Sequence, residues 1–186
     1  MIGQLPTELE VNGREYKIRA DFRIALLIFQ ALNDPDLSEK EKGYIYLDAL
    51  YEDFDKIPPE DYPEAMEKAS WFLDGGRVIE QKHYKKLIDW TDDEHLIFPA
   101  VNKVAGTETR ALPFLHWWTF LGYFNEIGEN SLFASVLSIR SKKAKGKKLE
   151  KYEQEFYKEN KDIIDLKTKY TEEEKAEIER LKELLG

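Results

Sequence analysis

Hydrophobic and polar positions alternate at the very start of the chain and fall into helical spacing nearly everywhere after it. Thr7 to Val11 alternates around Leu9 and Val11, Asn12-Gly13 follows, and Arg14 to Ile18 alternates around Tyr16 and Ile18. Asn-Gly between two such runs predicts a β-hairpin, because a type I′ turn needs positive φ at both central residues. Two strands alone are marginal, so the hairpin needs a support, and the next helix is expected to supply it. That helix is predicted from an N-cap at Asp21 to Leu32. Phe22, Ile24, Leu26, Leu27, Ile28 and Phe29 cover nearly every side of it, the pattern of a buried helix. Asn33-Asp34-Pro35 ends it.

Capping signals place the helices that follow. Ser38 and Glu41 form a capping box, in which each side chain satisfies a free amide at the helix start. The helix they open carries Tyr44, Leu47 and Leu50-Tyr51, and Ile57-Pro58-Pro59 breaks the chain after it. A further helix is predicted from about Glu60 to Leu73, stopped by Asp74-Gly75-Gly76, since glycine accepts the left-handed position after a helix. Arg77 to Leu87 reads as a polar linker. Thr91 and Glu94 repeat the capping-box pattern before a helix to about Val104, with Pro99 inside the run as a kink or a stop. Leu112 to Ile127 is the most apolar stretch, Ser131 to Ile139 begins another helix, and Leu149 to Tyr157 and Thr171 to Leu185 are predicted helical. Thr171 with Glu174 makes a third capping box. The last helix has only a narrow stripe of Ile178, Leu181 and Leu185, so it is marginal alone and docks lightly or waits for a partner.

A chain of 186 residues is long enough for one domain with a real core, and 13% aromatic residues supply large buried areas. There is no cysteine. Disulfides, thiolate chemistry and cysteine-based zinc sites are thereby excluded, and a reducing cytoplasm fits. No apolar run reaches the roughly 18 residues of a membrane span, and the N-terminus lacks the pattern of a signal peptide. The net charge is −9, which repels nucleic acid and anionic lipid. Its distribution is uneven. Ala31 to Glu67 holds twelve acids against three bases, net −9, whereas Arg140 to Lys151 holds seven bases against one acid, net +6. A negative face and a basic hinge are expected.

Candidate chemistry is sparse. His83, His95 and His116 do not share the spacing of metal ligands. His95 follows Asp92-Asp93-Glu94, and acids at the first turn of a helix are favoured by its dipole without any cation. His116-Trp117-Trp118 has two readings: an aromatic recognition surface, since tryptophan is enriched in binding hot spots, or a core helix with one face shared with a partner. The basic stretch contains Lys142, Lys143, Lys145, Lys147 and Lys148 without aromatics to stack on bases. A solvated hinge that meets the acidic face of another subunit is preferred there to nucleic-acid binding. Nucleophile elbows, phosphate loops and dinucleotide turns do not occur. No enzyme activity, cofactor or metal is expected.

Leu115-His116-Trp117-Trp118-Thr119-Phe120, followed by Glu126-Ile127-Gly128, then Ser138-Ile139-Arg140, Gly146-Lys147-Lys148-Leu149-Glu150-Lys151 and Glu155-Phe156-Tyr157, resembles the bacteriophage gene-product-fifteen family of tail modules in phages and prophages of Gram-positive bacteria. The opening, with its hairpin, Asp21-Phe22-Arg23 and Ala69-Ser70-Trp71-Phe72, is similar too, and the resemblance covers roughly Leu9 to Tyr170. It implies a tail assembly chaperone that coats the apolar helices of the tape measure protein until tail tube subunits replace them, acting in the bacterial host cytoplasm. The alternative is a structural tail component retained in the virion. The resemblance carries no catalytic residues.

The expected fold is mainly α: a multi-helix bundle with a small N-terminal β-hairpin and an extended helical C-terminal region. Residues 1–140 are expected to form the helical core domain, and 141–186 the basic hinge and C-terminal helices. The expected partners are the tape measure protein and the tail tube protein, with a homo-oligomer left open and neither membrane nor nucleic acid. The candidate partner-binding residues are His116, Trp117, Trp118, Phe120, Tyr123, Ile178, Leu181 and Leu185.

Overall fold

The computed structural model describes residues 3–78 and 85–185, with side chains described as far as Lys182. It is mainly helical, with the expected hairpin at the start. Strands β1 (Glu8–Val11) and β2 (Arg14–Lys17) pair antiparallel, with Leu9 opposite Tyr16 and Glu10 opposite Glu15. The turn between them has φ of 47° at Asn12 and 74° at Gly13, as a type I′ turn requires. Leu9, Val11 and Tyr16 point inward and are buried.

The helices follow in order: α1 (Phe22–Leu32), α2 (Glu39–Leu50), α3 (Tyr62–Leu73), α4 (Glu94–Ala105), α5 (Trp117–Asn125), α6 (Leu132–Ala144), α7 (Lys151–Glu159), α8 (Lys161–Ile164) and α9 (Glu172–Leu185). Asp21 caps α1 by accepting from the Arg23 amide at 3.0 Å. The boxes at Ser38 and Thr171 both form, with the Glu41 and Glu174 side chains accepting from the Ser38 and Thr171 amides at 2.8 Å. The C-terminus of α2 is closed from a distance. The Arg19 guanidinium donates to the carbonyls of Asp48, Ala49 and Tyr51 at 2.7, 3.1 and 2.7 Å, groups that lack partners within the helix.

Packing departs from the sequence expectation in several places. The hairpin rests on α3 through β1 rather than on α1. Helix α1 packs instead against α2 and α5. It is not buried all round, because Phe22, Ala25 and Ile28 face the core while Leu27 is 56% exposed. Thr91 does not cap α4. The helix starts two residues later, after Asp93, whose carboxylate is committed elsewhere and caps nothing. Pro99 neither ends nor splits α4, which continues to Ala105 and is capped by Gly106. Helix α5 begins at Trp117, not Leu112, and α6 runs into the expected basic hinge as far as Ala144.

The core is dominated by aromatic rings. Phe22 and Phe120 stack at 4.7 Å between centroids, with Phe98 edge-on to Phe22. Trp117 lies against Phe120, Trp90 and Phe29, offset and tilted arrangements that aromatic quadrupoles favour.

Helix α3 ends in a Schellman motif: the Gly76 amide donates to Trp71 at 2.9 Å and the Gly75 amide to Phe72 at 3.1 Å. Gly76 has φ of +80°, and a Cβ there would lie 2.7 Å from Trp118 Cη2. Gly76→Ala therefore combines an unfavourable left-handed backbone with a ring clash. It is expected to cost about 1–3 kcal/mol by urea denaturation, whereas Gly122→Ala, where a Cβ meets nothing within 4 Å, should be neutral or stabilising because α5 gains helix propensity.

Candidate partner-binding surface

The segment preceding α5 is extended and runs beside the residues before α1. Phe22 donates its amide to Leu115 at 2.9 Å and Trp117 to Ala20 at 2.8 Å, while the Leu115 amide donates to Asp21 Oδ2 at 3.0 Å. This pins His116 inside the fold. Its Nδ1 accepts from the Trp118 amide at 3.0 Å, forming the N-cap of α5, and its Nε2 faces the Pro6 carbonyl at 2.9 Å. That pair of partners assigns the ring proton to Nε2, since a carbonyl only accepts and an amide only donates. The two indoles reach α3: Trp117 Nε1–H donates to Leu73 O at 2.9 Å and Trp118 Nε1–H to Phe72 O at 2.8 Å.

The candidate residues from the sequence therefore separate. His116, Trp117 and Phe120 are 4%, 1% and 0% exposed. Their assignment to a partner surface is corrected to core packing: the N–H donors and the apolar rings are already satisfied inside the protein. Trp118 and Tyr123 are half-buried, as is Ile178 on α9, while Leu181 is exposed. The Leu185 side chain and all of His83 lie outside the described residues. Helix α9 is not gathered onto α5. It is tethered near the end of α1, where the Glu172 amide donates to Asp36 Oδ1 at 2.9 Å.

The basic stretch is only partly solvated. Arg140 is 7% exposed and makes a two-pronged pair with Asp93 at 2.7 and 2.8 Å. Its remaining N–H groups donate to the carbonyls of Leu87, Ile163 and Ile164 at 2.9, 2.8 and 2.7 Å. Lys142 donates to buried Glu153 at 2.7 Å, and this hydrogen bond holds the Glu153 carboxyl below the usual range. Lys143 pairs with Asp165 and sits 3.9 Å over the Tyr157 ring. These three cations join α6 to α4, α7 and α8. Lys145, Lys147 and Lys148 remain exposed. Nearby, Asp89 is 3% exposed. Burial pushes its carboxyl up, but hydrogen bonds from Lys86, the Asp92 amide and Lys169 outweigh that and leave it well below the usual carboxylate range.

Sequence reasoning missed Arg140 and Asp93 as a buried pair. Asp93 was visible only as one of a run of acids. Among the described residues, no group of three or more His, Asp or Glu side chains could hold a metal ion, and no helix is long and apolar enough to cross a membrane.

Two of the surface concavities among the described residues lie on α1 and beside the hairpin. One runs along α1 to Arg110, with about 360 Å³ of space between Leu26, Leu27, Trp90 and Phe98. Arg23 and Arg110 edge it, each guanidinium laid over an aromatic face, at 4.6 Å on Phe22 and 4.8 Å on Phe98. The other, of about 900 Å³, lies between the hairpin and α3. Its floor is Leu9, Met66 and Trp71, and Glu8, Glu10, Glu15, Glu67 and Asp74 surround it. The Asp74 carboxyl is raised above its usual value by burial, against the pull of Arg77.

A family model, Bacteriophage Gp15 protein, matches residues 1–166. The chain belongs to the bacteriophage Gp15 protein family. It is thus a phage protein of the structural, tail-related kind, and the resemblance read from its tryptophan-containing stretch holds. The matched stretch of this Gp15 protein takes in both concavities and ends after α8, so α9, with Ile178 and Leu181, lies beyond it. No curated protein and no solved structure matches the chain.

Proposed function

We propose that this Gp15 protein is a non-enzymatic tail assembly chaperone that binds helical segments of the phage tape measure protein. The observation that carries the proposal is the open apolar groove on α1, where Leu27 stands 56% exposed beside Trp90 and Phe98. A surface that is otherwise strongly charged leaves these apolar atoms in water, a cost that an amphipathic helix laid into the groove would remove. The rim suits such a ligand: Arg23, Arg110 and Glu94 border the groove and can meet polar residues flanking the ligand's apolar stripe. The net charge of −9 keeps a crowded complex soluble.

Co-expression tests this. The protein is expected to keep the tape measure protein soluble and to co-purify with it. Leu27→Asp places a charge in the groove without touching the core, so the variant should fold normally while its affinity falls about tenfold or more. Unchanged tape measure solubility, with no complex recovered, would sink the chaperone reading. Mass spectrometry of purified virions separates the retained structural role, which predicts stoichiometric peptides from this chain in finished tails.

A further inference from the structure

The hairpin–α3 groove points to a partner different from the tape measure protein. Five carboxylates line it against two cations, Lys68 and Arg77. Glu10 and Glu15 are paired directly across the hairpin, and like charges in that position are destabilising. Both side chains are exposed, and no ion pair reaches either of them among the described residues. Asp74 is half-buried at the same groove and its carboxyl is raised by that burial. The groove thus keeps a carboxylate pair that a cation would relieve, above an aromatic and apolar floor.

The same chain carries a matching group. Between α6 and α7, Lys145, Lys147 and Lys148 are exposed and form no ion pair among the described residues, whereas Lys142 and Lys143 just before them are already paired. Lysine suits this floor as well as the rim. Its four-carbon stem covers apolar surface while the ammonium stays at the edge, and an ammonium over Trp71 gains cation–π attraction. No hydrogen bond or ion pair joins the turn to the groove within one described chain, so the two are available to different copies.

We propose that the Lys145–Lys148 turn of one copy seats in the acidic groove between the hairpin and α3 of a second copy. The two surfaces are different, so the contact is heterologous. Such contacts run head to tail and build a ring if the rotation closes, or an open filament if it does not. This interface is independent of the α1 groove, which remains free for a helical ligand.

Sedimentation velocity on the full chain tests the proposal. Self-association is expected at about 50 mM NaCl, weakening about tenfold or more by about 500 mM as screening shortens the reach of the charges. Two charge-reversed variants extend the test: Lys145→Glu/Lys147→Glu/Lys148→Glu, and Glu10→Lys/Glu15→Lys/Glu67→Lys. Each alone should stay monomeric. Mixed, they should assemble, because the reversed turn now matches the reversed groove. The milder Lys145→Gln/Lys147→Gln/Lys148→Gln variant should also be monomeric and guards against misfolding of the reversed chains. A wild-type chain that is monomeric at low salt overturns the proposal. So does a turn variant that assembles like wild type, or a folded pair of reversed variants that do not associate when mixed. Loss of self-association with the tape measure complex intact leaves the chaperone reading standing, and the converse result separates them the other way.

Discussion

Replacing Arg140 with alanine is expected to lower the folding stability by about 3–5 kcal/mol, because it strands a buried carboxylate. Asp93 is 1% exposed and loses both of its guanidinium bonds in that variant. The carbonyls of Leu87, Ile163 and Ile164 lose donors at the same time, and a buried acceptor left unmet costs its desolvation in full. Arg140→Lys should recover little, since an ammonium cannot reproduce the planar fork that reaches a carboxylate and three carbonyls together. Removing both charges is different. Arg140→Met with Asp93→Leu should restore the part of the loss due to the bare ion, because two apolar side chains leave no unpaired charge inside, while the three carbonyls and the Asp89 amide stay without their partners. Urea denaturation of the three variants decides the matter. A double variant as unstable as Arg140→Ala would show that the charge pairing is not what holds α6 against α4.

Trp117→Ala is expected to cost about 3–5 kcal/mol, the usual range for truncating a large buried aromatic. The indole is 1% exposed and contacts Phe29, Trp90 and Phe120, so its removal empties the centre of the core. Its Nε1–H also leaves Leu73 O. Trp118→Ala should cost clearly less, because that ring is only half-buried. A thermal or chemical melt in which Trp118→Ala is the worse of the two would contradict the division between core and surface along α5. The expected cost is in folding, so Trp117→Ala is not a test of partner binding, although the sequence alone leaves both tryptophans open to either a partner surface or the core.

That ambiguity at α5 shows where sequence reasoning stops. The stretch from Leu112 to Ile127 is apolar on all sides, which requires burial of more than one face but does not say which. The answer lies in contacts far along the chain: Trp117 reaches Leu73 across 44 positions, and His116 reaches Pro6 across 110. The apparent capping box at Thr91 fails for a related reason. Its local pattern is sound, but Asp89 accepts from the Thr91 and Asp92 amides at 3.0 and 3.1 Å and keeps that stretch in a turn. Two residues on, Asp93 faces Arg140 from 47 positions away. The candidate site was legible only in outline. An exposed Leu27 on α1 and a cationic turn after α6 were both present as residues, but exposure depends on which neighbours cover each face.

What the sequence determined by itself lies within about four residues, wherever no distant group competes for the same hydrogen bonds, as happens at Thr91. The Asn12-Gly13 turn, the Asp21 cap and the boxes at Ser38 and Thr171 each depend on hydrogen bonds or backbone angles confined to their own segment, and all four form. Only the tertiary structure decided that the hairpin lies on α3, that α1 leaves one apolar side open, and that Arg140 leaves the basic stretch to enter the core. These outcomes depend on pairing surfaces that meet after the chain has folded. An amphipathic pattern states how much surface must be buried, and the packing alone selects the partner that buries it.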